Sequence, residues 1–377
     1  MRKELDHTMK IKCNREMLSD ALNKVSRAVA IRSTMAALEG IYLRTEECSL
    51  YVCGYNLELG ISTKVLANVY EEGSVVLSSK LFCEIVRRMP GDEVELTCTE
   101  NLITTIRSSE SEYSIIGISA SDFPELPVIE SERRISLSQG MLKSMIAQTI
   151  FAVSDNDSRP TCTGSLFEIT SDRLRVVSVD GFRLAMRTEP ITSTFDSSFI
   201  VPKKTLEEIL RLLDDDEDKR VEICSTRRHI EFMINGCTII SRLIEGDFLD
   251  YNNAVPAAND KEVRVSTRRM IEASERMGLL ISDAIKSPVR CVFGNDEITF
   301  NCRTAVGSAS DRMHAEAPNE PVEIGFNNRY LMDAFRAVSS DEVRLIIGSP
   351  VNPVKVLPPE GESFLFLLLP VRLQKND

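Results

Sequence analysis

The apolar and polar positions alternate most regularly near the middle of the chain. Apolar side chains alternate with polar ones over Leu166–Thr170 and Leu174–Val179, and the turn-forming pair Ser171-Asp172 separates the two runs. A period of two is typical of half-buried strands, so these runs predict a β-hairpin. Asp180-Gly181 interrupts the alternation before a third predicted strand at Phe182–Met186, because glycine permits a turn or bulge that other residues resist.

The same pattern returns twice more, at intervals of about 125 residues. In each repeat a short strand leads through a polar N-cap into a helix with apolar residues at i, i+4 spacing. The predicted caps are Asn14, Ser138 and Thr267. A hairpin block follows each helix, over Gly40–Leu59, Gly164–Met186 and Val289–Ala309.

A second strand and helix follow each hairpin block, and further alternating strands close each repeat. These second strands begin at Val75, Phe199 and Val322. Each repeat therefore holds two strand–helix–strands units, and the chain is predicted to contain six copies of one βαβββ unit. The expected fold class is α+β, with three similar domains in tandem.

Two connectors rich in Gly, Pro and Asp separate the repeats. They are Ser121–Pro127 and Gly246–Tyr251, and their composition predicts extended linkers. We predict a disordered extension followed by three domains, over residues 1–8, 9–127, 128–256 and 257–377.

Length and composition are those of a globular protein with more than one domain. The 377 residues exceed one ordinary domain. No apolar run reaches the ~18 residues that would span a membrane, and no signal-like segment precedes the first domain, so we expect a cytoplasmic protein. The ten cysteines show no CxxC spacing. Those in strand-like runs are predicted to be small core residues in a reducing compartment, namely Cys13, Cys53, Cys98, Cys224 and Cys302.

The predicted helices differ in charge from the chain as a whole. A net charge of −12 argues, taken alone, against a nucleic-acid partner. The predicted helices nevertheless carry 15 Lys and Arg against 8 Asp and Glu, counted over Arg15–Val29, Ser79–Met89, Gln139–Val153, Lys203–Leu213, Arg268–Ile281 and Asn328–Val338. One interpretation is that each helix simply has a solvated face. The other is a basic helical surface on an acidic body, suited to non-specific contact with a phosphate backbone.

The sequence contains no arrangement of residues that predicts catalysis. His7, His229 and His314 lie far apart without metal-ligand spacing, and no GxxxxGK[ST], GxSxG or HExxH motif occurs. The acidic run Asp214–Asp218 follows a helix and is interpreted as a solvated loop. We therefore expect a protein that is not an enzyme and that has neither a cofactor nor a metal.

In order and spacing, several short motifs together resemble the bacterial DNA sliding clamp family, the β subunit of DNA polymerase III. Besides the threefold repeat, they are Val179–Ala185, Asp122-Phe123-Pro124 and the ending Leu369–Leu373. The resemblance extends from Met9 to Leu373. It implies a head-to-tail homodimer in which helices line a hole around duplex DNA and sheets lie outside. It also implies a non-catalytic processivity factor, near the nucleoid, that tethers the polymerase III catalytic subunit, the clamp loader, other polymerases and repair proteins through short peptides.

The resemblance implies three sets of site residues. The dimer contact would join Tyr113 and Ile115 of one chain to Leu280 and Ile281 of the other, although the last two would equally suit a core. The DNA contacts would be Arg32, Lys80 and Asn156, and the basic helical surface adds Lys203 and Lys204. The peptide pocket would comprise Cys162, Val179, Gly181, Phe182, Arg183, Leu184, Leu249, Ala254, Leu367, Leu369, Pro370, Val371, Arg372 and Leu373.

Several of these positions depart from the family's usual residues. A larger aliphatic is common where Cys162 stands, histidine or tyrosine at Phe182, proline at Leu249 and methionine at Val371. All four residues keep the pocket apolar. An aromatic pair is often present in the family where this chain has Pro160-Thr161. Leu368, within the same ending, is more simply interpreted as part of a buried final strand.

Two other classes of protein remain open from the sequence. One is an open repeat scaffold that binds proteins without encircling DNA. A monomeric mass would favour it. The other is an enzyme of unrecognised class, which would require a pocket with coupled titratable groups.

Overall fold

The computed structural model describes residues 8–130, 133–156, 158–256, 261–281, 287–317 and 319–373. Of the predicted extension over residues 1–8, all but Thr8 lies outside these ranges. The chain divides into two compact units. The first consists of Met1–Gly140 and Glu207–Leu243, and the second of Met141–Leu206 and Ile244–Asp377.

The order β-α-β-β-β-β-α-β-β-β occurs three times in the described residues. The first set is β1 (Met9–Asn14), α1 (Arg15–Val25), β2 (Gly40–Glu46), β3 (Ser49–Tyr55), β4 (Leu59–Glu71), β5 (Ser74–Ser78), α2 (Ser79–Arg88), β6 (Glu93–Cys98), β7 (Ile103–Ser108) and β8 (Ser111–Ile116). The second set is β9 (Arg134–Ser138), α3 (Gln139–Ala147), β10 (Gly164–Ile169), β11 (Arg173–Val179), β12 (Arg183–Pro190), β13 (Ser197–Pro202), α4 (Lys203–Leu212), β14 (Arg220–Ser225), β15 (His229–Ile234) and β16 (Cys237–Arg242).

The third set completes the pattern. It is β17 (Lys261–Ser266), α5 (Thr267–Gly278), β18 (Val289–Gly294), β19 (Glu297–Thr304), β20 (Gly307–His314), β21 (Val322–Phe326), α6 (Asn328–Arg336), β22 (Glu342–Ile347), β23 (Val354–Leu357) and β24 (Phe364–Leu368). The prediction of six βαβββ units is confirmed.

The first helix of each set ends earlier than its apolar pattern predicts. α1 begins after Asn14, whose Oδ1 accepts the Met17 N–H at 3.0 Å, and it ends at Val25 instead of Val29. A 3₁₀ turn over Ser26–Ala28 carries the apolar spacing onward, so periodicity alone does not mark the end of the helix. α3 and α5 also end early. The predicted cap Thr267 is wrong by one residue, because the Ser266 side chain accepts the Arg269 N–H and Thr267 is already helical.

The first unit is built on one antiparallel sheet of 12 strands, in the order β8-β7-β6-β1-β4-β16-β15-β14-β9, with β2, β3 and β5 attached beside β4. β4 is the longest strand of this sheet, and it pairs with β1 near one end and with β16 near the other. A single strand therefore joins the sheet of the first set to strands of the second.

The second unit contains a sheet of eight strands and one of four. Their orders are β13-β10-β11-β12-β24-β23-β22-β17 and β20-β19-β18-β21. The hairpin predicted from alternation is confirmed, with Leu166 opposite Val177 and Ile169 opposite Leu174. The predicted core cysteines are confirmed as buried, namely Cys13, Cys53, Cys98, Cys224 and Cys302. None of the described helices combines the length and apolar character needed to cross a membrane.

Candidate functional site

The predicted pocket residues share one apolar floor in the second unit. Cys162, Val179, Leu184 and Leu367 are all buried in a single cluster that also contains Tyr251. Strands β12 and β24 bring them together, because Leu184 lies opposite Leu367 in the antiparallel ladder. Leu368, the next residue, is buried in β24, as the final-strand interpretation predicts.

The turn before β12 presents an exposed aromatic side chain beside this floor. Asp180 Oδ1 accepts the N–H groups of Phe182 at 2.9 Å and Arg183 at 3.0 Å, which closes a tight turn. Gly181 has a φ of +89° within it, a conformation that glycine adopts without steric cost. Phe182 remains 60% exposed, and its ring stacks on Tyr330 of α6 at a centroid distance of 6.1 Å.

Arg183 fixes this turn to the third repeat. The side chain is 7% exposed, and its guanidinium contacts Asp180 Oδ2 at 2.8 Å and Asp333 Oδ2 at 2.7 Å. It also lies 4.4 Å from the ring centroid of Tyr330 and 5.5 Å from that of Phe151. Two carboxylates and two aromatic rings therefore already surround the guanidinium, so Arg183 holds the turn against α6.

The ending Leu369–Leu373 forms one wall of the predicted peptide pocket, which we term the groove. The Leu369 N–H donates to Phe182 O at 2.9 Å, and the Val371 N–H donates to Gly325 O at 2.8 Å. Gly325 permits this close approach, because a Cβ there would lie 2.6 Å from Leu373 Cδ2 and 2.7 Å from Val371 O. A cavity of about 490 Å³ lies against the wall, lined by Val371, Arg372, Leu373, Pro321, Val322, Glu323, Gly325, Gly348, Pro350 and Val351.

Leu249 lies in the second connector and Ala254 ends the 3₁₀ turn Tyr251–Ala254 that follows it, and this stretch packs on the groove floor through Tyr251. Both side chains are exposed, whereas Tyr251 between them is buried in the floor cluster. Leu249, Phe182, Leu369 and Val371 are exposed apolar side chains. They lie on stretches of chain that adjoin the buried floor cluster, and a groove for a linear peptide combines such apolar side chains.

Sequence reasoning missed Tyr330, Gly325 and the pair Pro350-Val351. Tyr330 stacks on Phe182, Gly325 seats the C-terminal wall, and the pair lines its cavity. The tyrosine at the start of α6 was the only local signal, since an aromatic residue there interrupts an otherwise charged helix surface.

Basic side chains on the second helix of each repeat fall into two groups. Those in the last turn are paired with carboxylates, as Arg87 with Glu84, Arg211 with Glu208 and Arg336 with Glu275 show. Lys80, Lys204 and Arg329 occupy the second position of α2, α4 and α6. Within the described residues these three exposed cations make no ion pair or side-chain hydrogen bond.

The predicted DNA residues differ in their surroundings. Arg32 and Asn156 are exposed in loops, and Asn156 Oδ1 accepts the Ser158 N–H at 2.9 Å. Lys203 Nζ lies 2.5 Å from Asp155 Oδ1, and this hydrogen bond lowers the pKa of the Asp155 carboxyl. The six helices carry 14 Lys and Arg against 8 Asp and Glu, on a chain of net charge −12.

Three strands, β8, β9 and β20, each end a sheet and have no pairing on the outer edge among the described residues, and β9 bonds only to β14. β8 bonds only to β7, and β20 bonds only to β19. Tyr113, Ile115 and the 82% exposed Ile116 lie on β8. Leu280 and Ile281, which follow α5, are partly buried against the third-repeat core, whereas Leu279 is 84% exposed. β8 and the segment after α5 thus leave apolar side chains in water in a monomer, whereas the exposed side chains of β9 are polar.

In the described part of the chain, no three His, Cys, Asp or Glu side chains are grouped closely enough to hold a metal ion. The pKa of His229 is lowered mainly by burial of the imidazole, and the nearby charges of Arg242 and Arg228 lower it further. His229 lies opposite Arg242 in the β15–β16 ladder of the first unit, whereas the groove residues belong to the second unit.

Family models and known relatives match nearly the whole chain. The N-terminal, central and C-terminal domains of the DNA polymerase III beta subunit match residues 9–127, 136–250 and 252–372. The Beta sliding clamp of Halalkalibacterium halodurans is 29% identical over 374 residues, which is 95% of this chain and 98% of that protein.

Solved structures agree. A protein from Eubacterium rectale assigned as a DNA polymerase III beta subunit is 34% identical with a TM-score of 0.92, covering 96% of this chain and 99% of that one. The sliding clamp from Bartonella birtlesii, solved bound to griselimycin, is 28% identical with a TM-score of 0.92, covering 97% and 100%. Three similar domains, each of two βαβββ units, are the three-domain fold of the DNA polymerase III beta subunit. The chain belongs to the DNA polymerase III beta subunit family, the sliding clamps.

Proposed function

We propose that this chain is a processivity factor: a homodimeric ring that encircles duplex DNA, slides along it, and tethers polymerases and repair proteins through the groove. The domains would extend over residues 9–127, 128–256 and 257–377, in a cytoplasmic, nucleoid-associated ring without catalytic activity. A tethered polymerase that releases DNA rebinds as an intramolecular event at high effective concentration. Processivity then follows from topology, without tight DNA binding.

The observation that carries the ring is that β8 and β20 each have an unpaired edge, with exposed apolar side chains on β8 and in the segment after α5. β8 and β20 belong to the first and third repeats and are unlike each other, so pairing between them is heterologous and head-to-tail. A heterologous contact generates a closed ring when its rotation closes. Tyr113, Ile115 and Ile116 would contact the Leu279–Ile281 segment and β20 of the partner chain, which removes exposed apolar surface from water.

Contact with DNA would be made by cations that the protein does not neutralise itself. Lys80 and Lys204 lie near helix N-termini, where the helix dipole disfavours a positive charge, and within the described residues no carboxylate pairs with them. A phosphate backbone would supply the missing negative charge. Arg32, Asn156 and Lys203 would add to the contact, although Lys203 already pairs with Asp155. Arg329 repeats the arrangement in α6 and joins this set. Because such contacts carry no sequence information, they permit sliding.

The groove would receive a short linear peptide of the polymerase III catalytic subunit, the clamp loader or a repair protein. Its floor offers apolar contacts, while Phe182, Leu249, Leu369 and Val371 offer exposed side chains that a peptide can cover. The Bartonella birtlesii structure holds griselimycin, so competition between griselimycin and a labelled peptide would test whether this chain binds both at the groove.

Imaging and mass measurement test the ring. Negative-stain electron microscopy and light scattering, at a concentration well above the dimer dissociation constant, are expected to show a dimer with six lobes around a central hole. A monomeric mass without such a hole would instead support an open repeat scaffold.

A further inference from the structure

Tyr251 is the one buried residue of the segment Leu249–Ala254, which we term the linker strap. Its side chain is 4% exposed and packs in the groove-floor cluster, whereas Leu249 is 45% exposed. Phe248 and Val255, which flank the strap, pack partly against the same cluster. The position of the strap therefore depends on a single inserted side chain and on its two flanks.

The hydroxyl group of Tyr251 is held from both sides by strand residues. Arg175 Nη1 donates to Tyr251 Oη at 2.9 Å, and Tyr251 Oη donates to Glu168 Oε2. Glu168 and Arg175 are cross-strand partners on β10 and β11, and Arg175 Nε also donates to Thr188 on β12 at 3.3 Å. Burial, helped by the Glu168 hydrogen bond, raises the pKa of Tyr251, so the hydroxyl keeps its proton.

This polar triad lies on the same sheet face as the groove floor. Side chains two residues apart on a strand share a face, so Glu168 lies beside Leu166 on β10 and Arg175 beside Val177 on β11. Leu166 and Val177 belong to the floor cluster. A cavity of about 470 Å³ opens at the triad, so the polar groups keep contact with solvent at that end.

Packing alone does not require this hydroxyl. A phenylalanine at position 251 would fill the same apolar site, and a buried hydroxyl is costly unless both its partners are in place. The triad instead ties the strap to three neighbouring strands. The strap is also the segment that supplies Leu249 and Ala254 to the predicted groove.

We propose that Tyr251 is a positioning residue of the peptide groove: Glu168 and Arg175 hold its hydroxyl, and this fixes Leu249 and Ala254 in place before a peptide arrives. The proposal rests on the proposed peptide-binding function. A strap that is already ordered avoids the entropy cost of ordering it on binding, and the apparent affinity is reduced by any fraction of chains in which it is displaced.

The test compares Tyr251→Phe with Tyr55→Phe, using a fluorescein-labelled peptide that carries the clamp-binding segment of the same organism's polymerase III catalytic subunit. Tyr55 is a matched control because it is also buried and its hydroxyl donates to Leu57 O at 3.4 Å in the first unit. Tyr251→Phe removes both hydrogen bonds of the hydroxyl, and we expect it to raise the peptide Kd by at least about threefold to tenfold, the range for the loss of a single hydrogen bond. Tyr55→Phe is expected to bind like the wild type.

A double-mutant cycle identifies the partner. Glu168→Gln is expected to weaken binding in the wild-type background and to have no further effect in Tyr251→Phe, because the carboxylate acts through the hydroxyl. Independent losses from the two substitutions would overturn the proposal.

Hydrogen exchange separates positioning from general stability. In Tyr251→Phe the amides of residues 249–254 are expected to exchange faster, with those of β12 and β24 unchanged. Unchanged exchange in the strap, wild-type peptide affinity, or faster exchange across both strands would each overturn the proposal. If the wild type binds no peptide, the proposed function fails, and strap exchange alone then decides whether the hydroxyl orders the strap.

Discussion

At the scale of single residues, Arg183 is a buried charge whose partners all come from the chain itself. The guanidinium is buried between Asp180 and Asp333, which belong to different repeats. Burying a charge without a partner costs several kcal/mol, so each of the three groups requires the others. The side chain that looks like a polar anchor in the sequence is therefore a structural cross-link beside the groove.

Replacing Arg183 is expected to be severely destabilising. Arg183→Ala leaves two carboxylates without their cation and is expected to lower the free energy of unfolding by about 3 kcal/mol. Arg268→Ala, in the highly exposed pair with Glu272, is the matched control and should change it by less than about 0.5 kcal/mol. Urea denaturation measures both, and equal effects would contradict the cross-link.

His229 predicts a pH dependence whose sign can be worked out. Burial, with Arg242 and Arg228, lowers its pKa in the folded chain, so the unfolded chain binds a proton at higher pH. Stability is then lost as the pH falls through the ordinary histidine range near about 6.5. His229→Gln is expected to lose less stability than the wild type between about pH 7.5 and pH 5.5. Thermal unfolding at both values measures it, and identical losses would count against this assignment.

At the scale of elements, the C-terminal segment depends on one glycine of β21. Gly325→Ala places a methyl group where Leu373 and Val371 O now lie, so the wall Leu369–Leu373 has to lift away. We expect at least a tenfold loss of peptide affinity, about ten being the factor for 1.4 kcal/mol. Fluorescence anisotropy with the labelled polymerase peptide measures this loss.

Gly361→Ala controls for the substitution itself. Gly361 has a φ of +68° and open space around it, so alanine there strains the backbone without a collision. This variant is expected to lose some stability and to keep its peptide affinity. Wild-type affinity in Gly325→Ala would show that the wall does not contribute to binding.

The sequence predicts elements well where burial alternates, and poorly where polar side chains face the core. The hairpin of β10 and β11 follows directly from its alternation. Alternation does not mark β7, because Thr104 and Ser108 are buried while Ile103 is exposed. The ends of the first helices were missed because 3₁₀ turns continue their apolar spacing.

The groove could be predicted only in part for a different reason. Its motif at Val179–Leu184 and its C-terminal wall are contiguous in sequence, so the resemblance identified them. Tyr330 and Gly325 come from α6 and β21, and their contacts with Phe182 and Val371 join residues far apart in the chain. No local sequence pattern predicts such contacts. The Arg183–Asp333 ion pair could not be predicted for the same reason, because its two residues are also far apart in the chain.

At the scale of the whole molecule, a closed ring of two chains requires β8 of one chain to pair with β20 of the other. Ile116→Glu places a charge on the exposed edge strand β8 and is expected to convert the dimer to monomer in sedimentation experiments, because a buried unpaired charge is costly. Leu66→Glu is the matched control, since Leu66 is also highly exposed but lies on β4, which is paired on both sides. Dimerisation that survives Ile116→Glu would exclude β8 from the interface.

Topological retention on DNA tests directly whether the protein encircles the duplex. The wild-type protein would be loaded onto a nicked circular plasmid by the clamp loader of the same organism with ATP, and the DNA would then be cut once and separated by gel filtration. A ring that encircles DNA and slides is expected to stay with the circle and to be lost after cutting, unless both ends are blocked. Equal retention on circular and cut DNA would show that the protein binds DNA directly and does not encircle it.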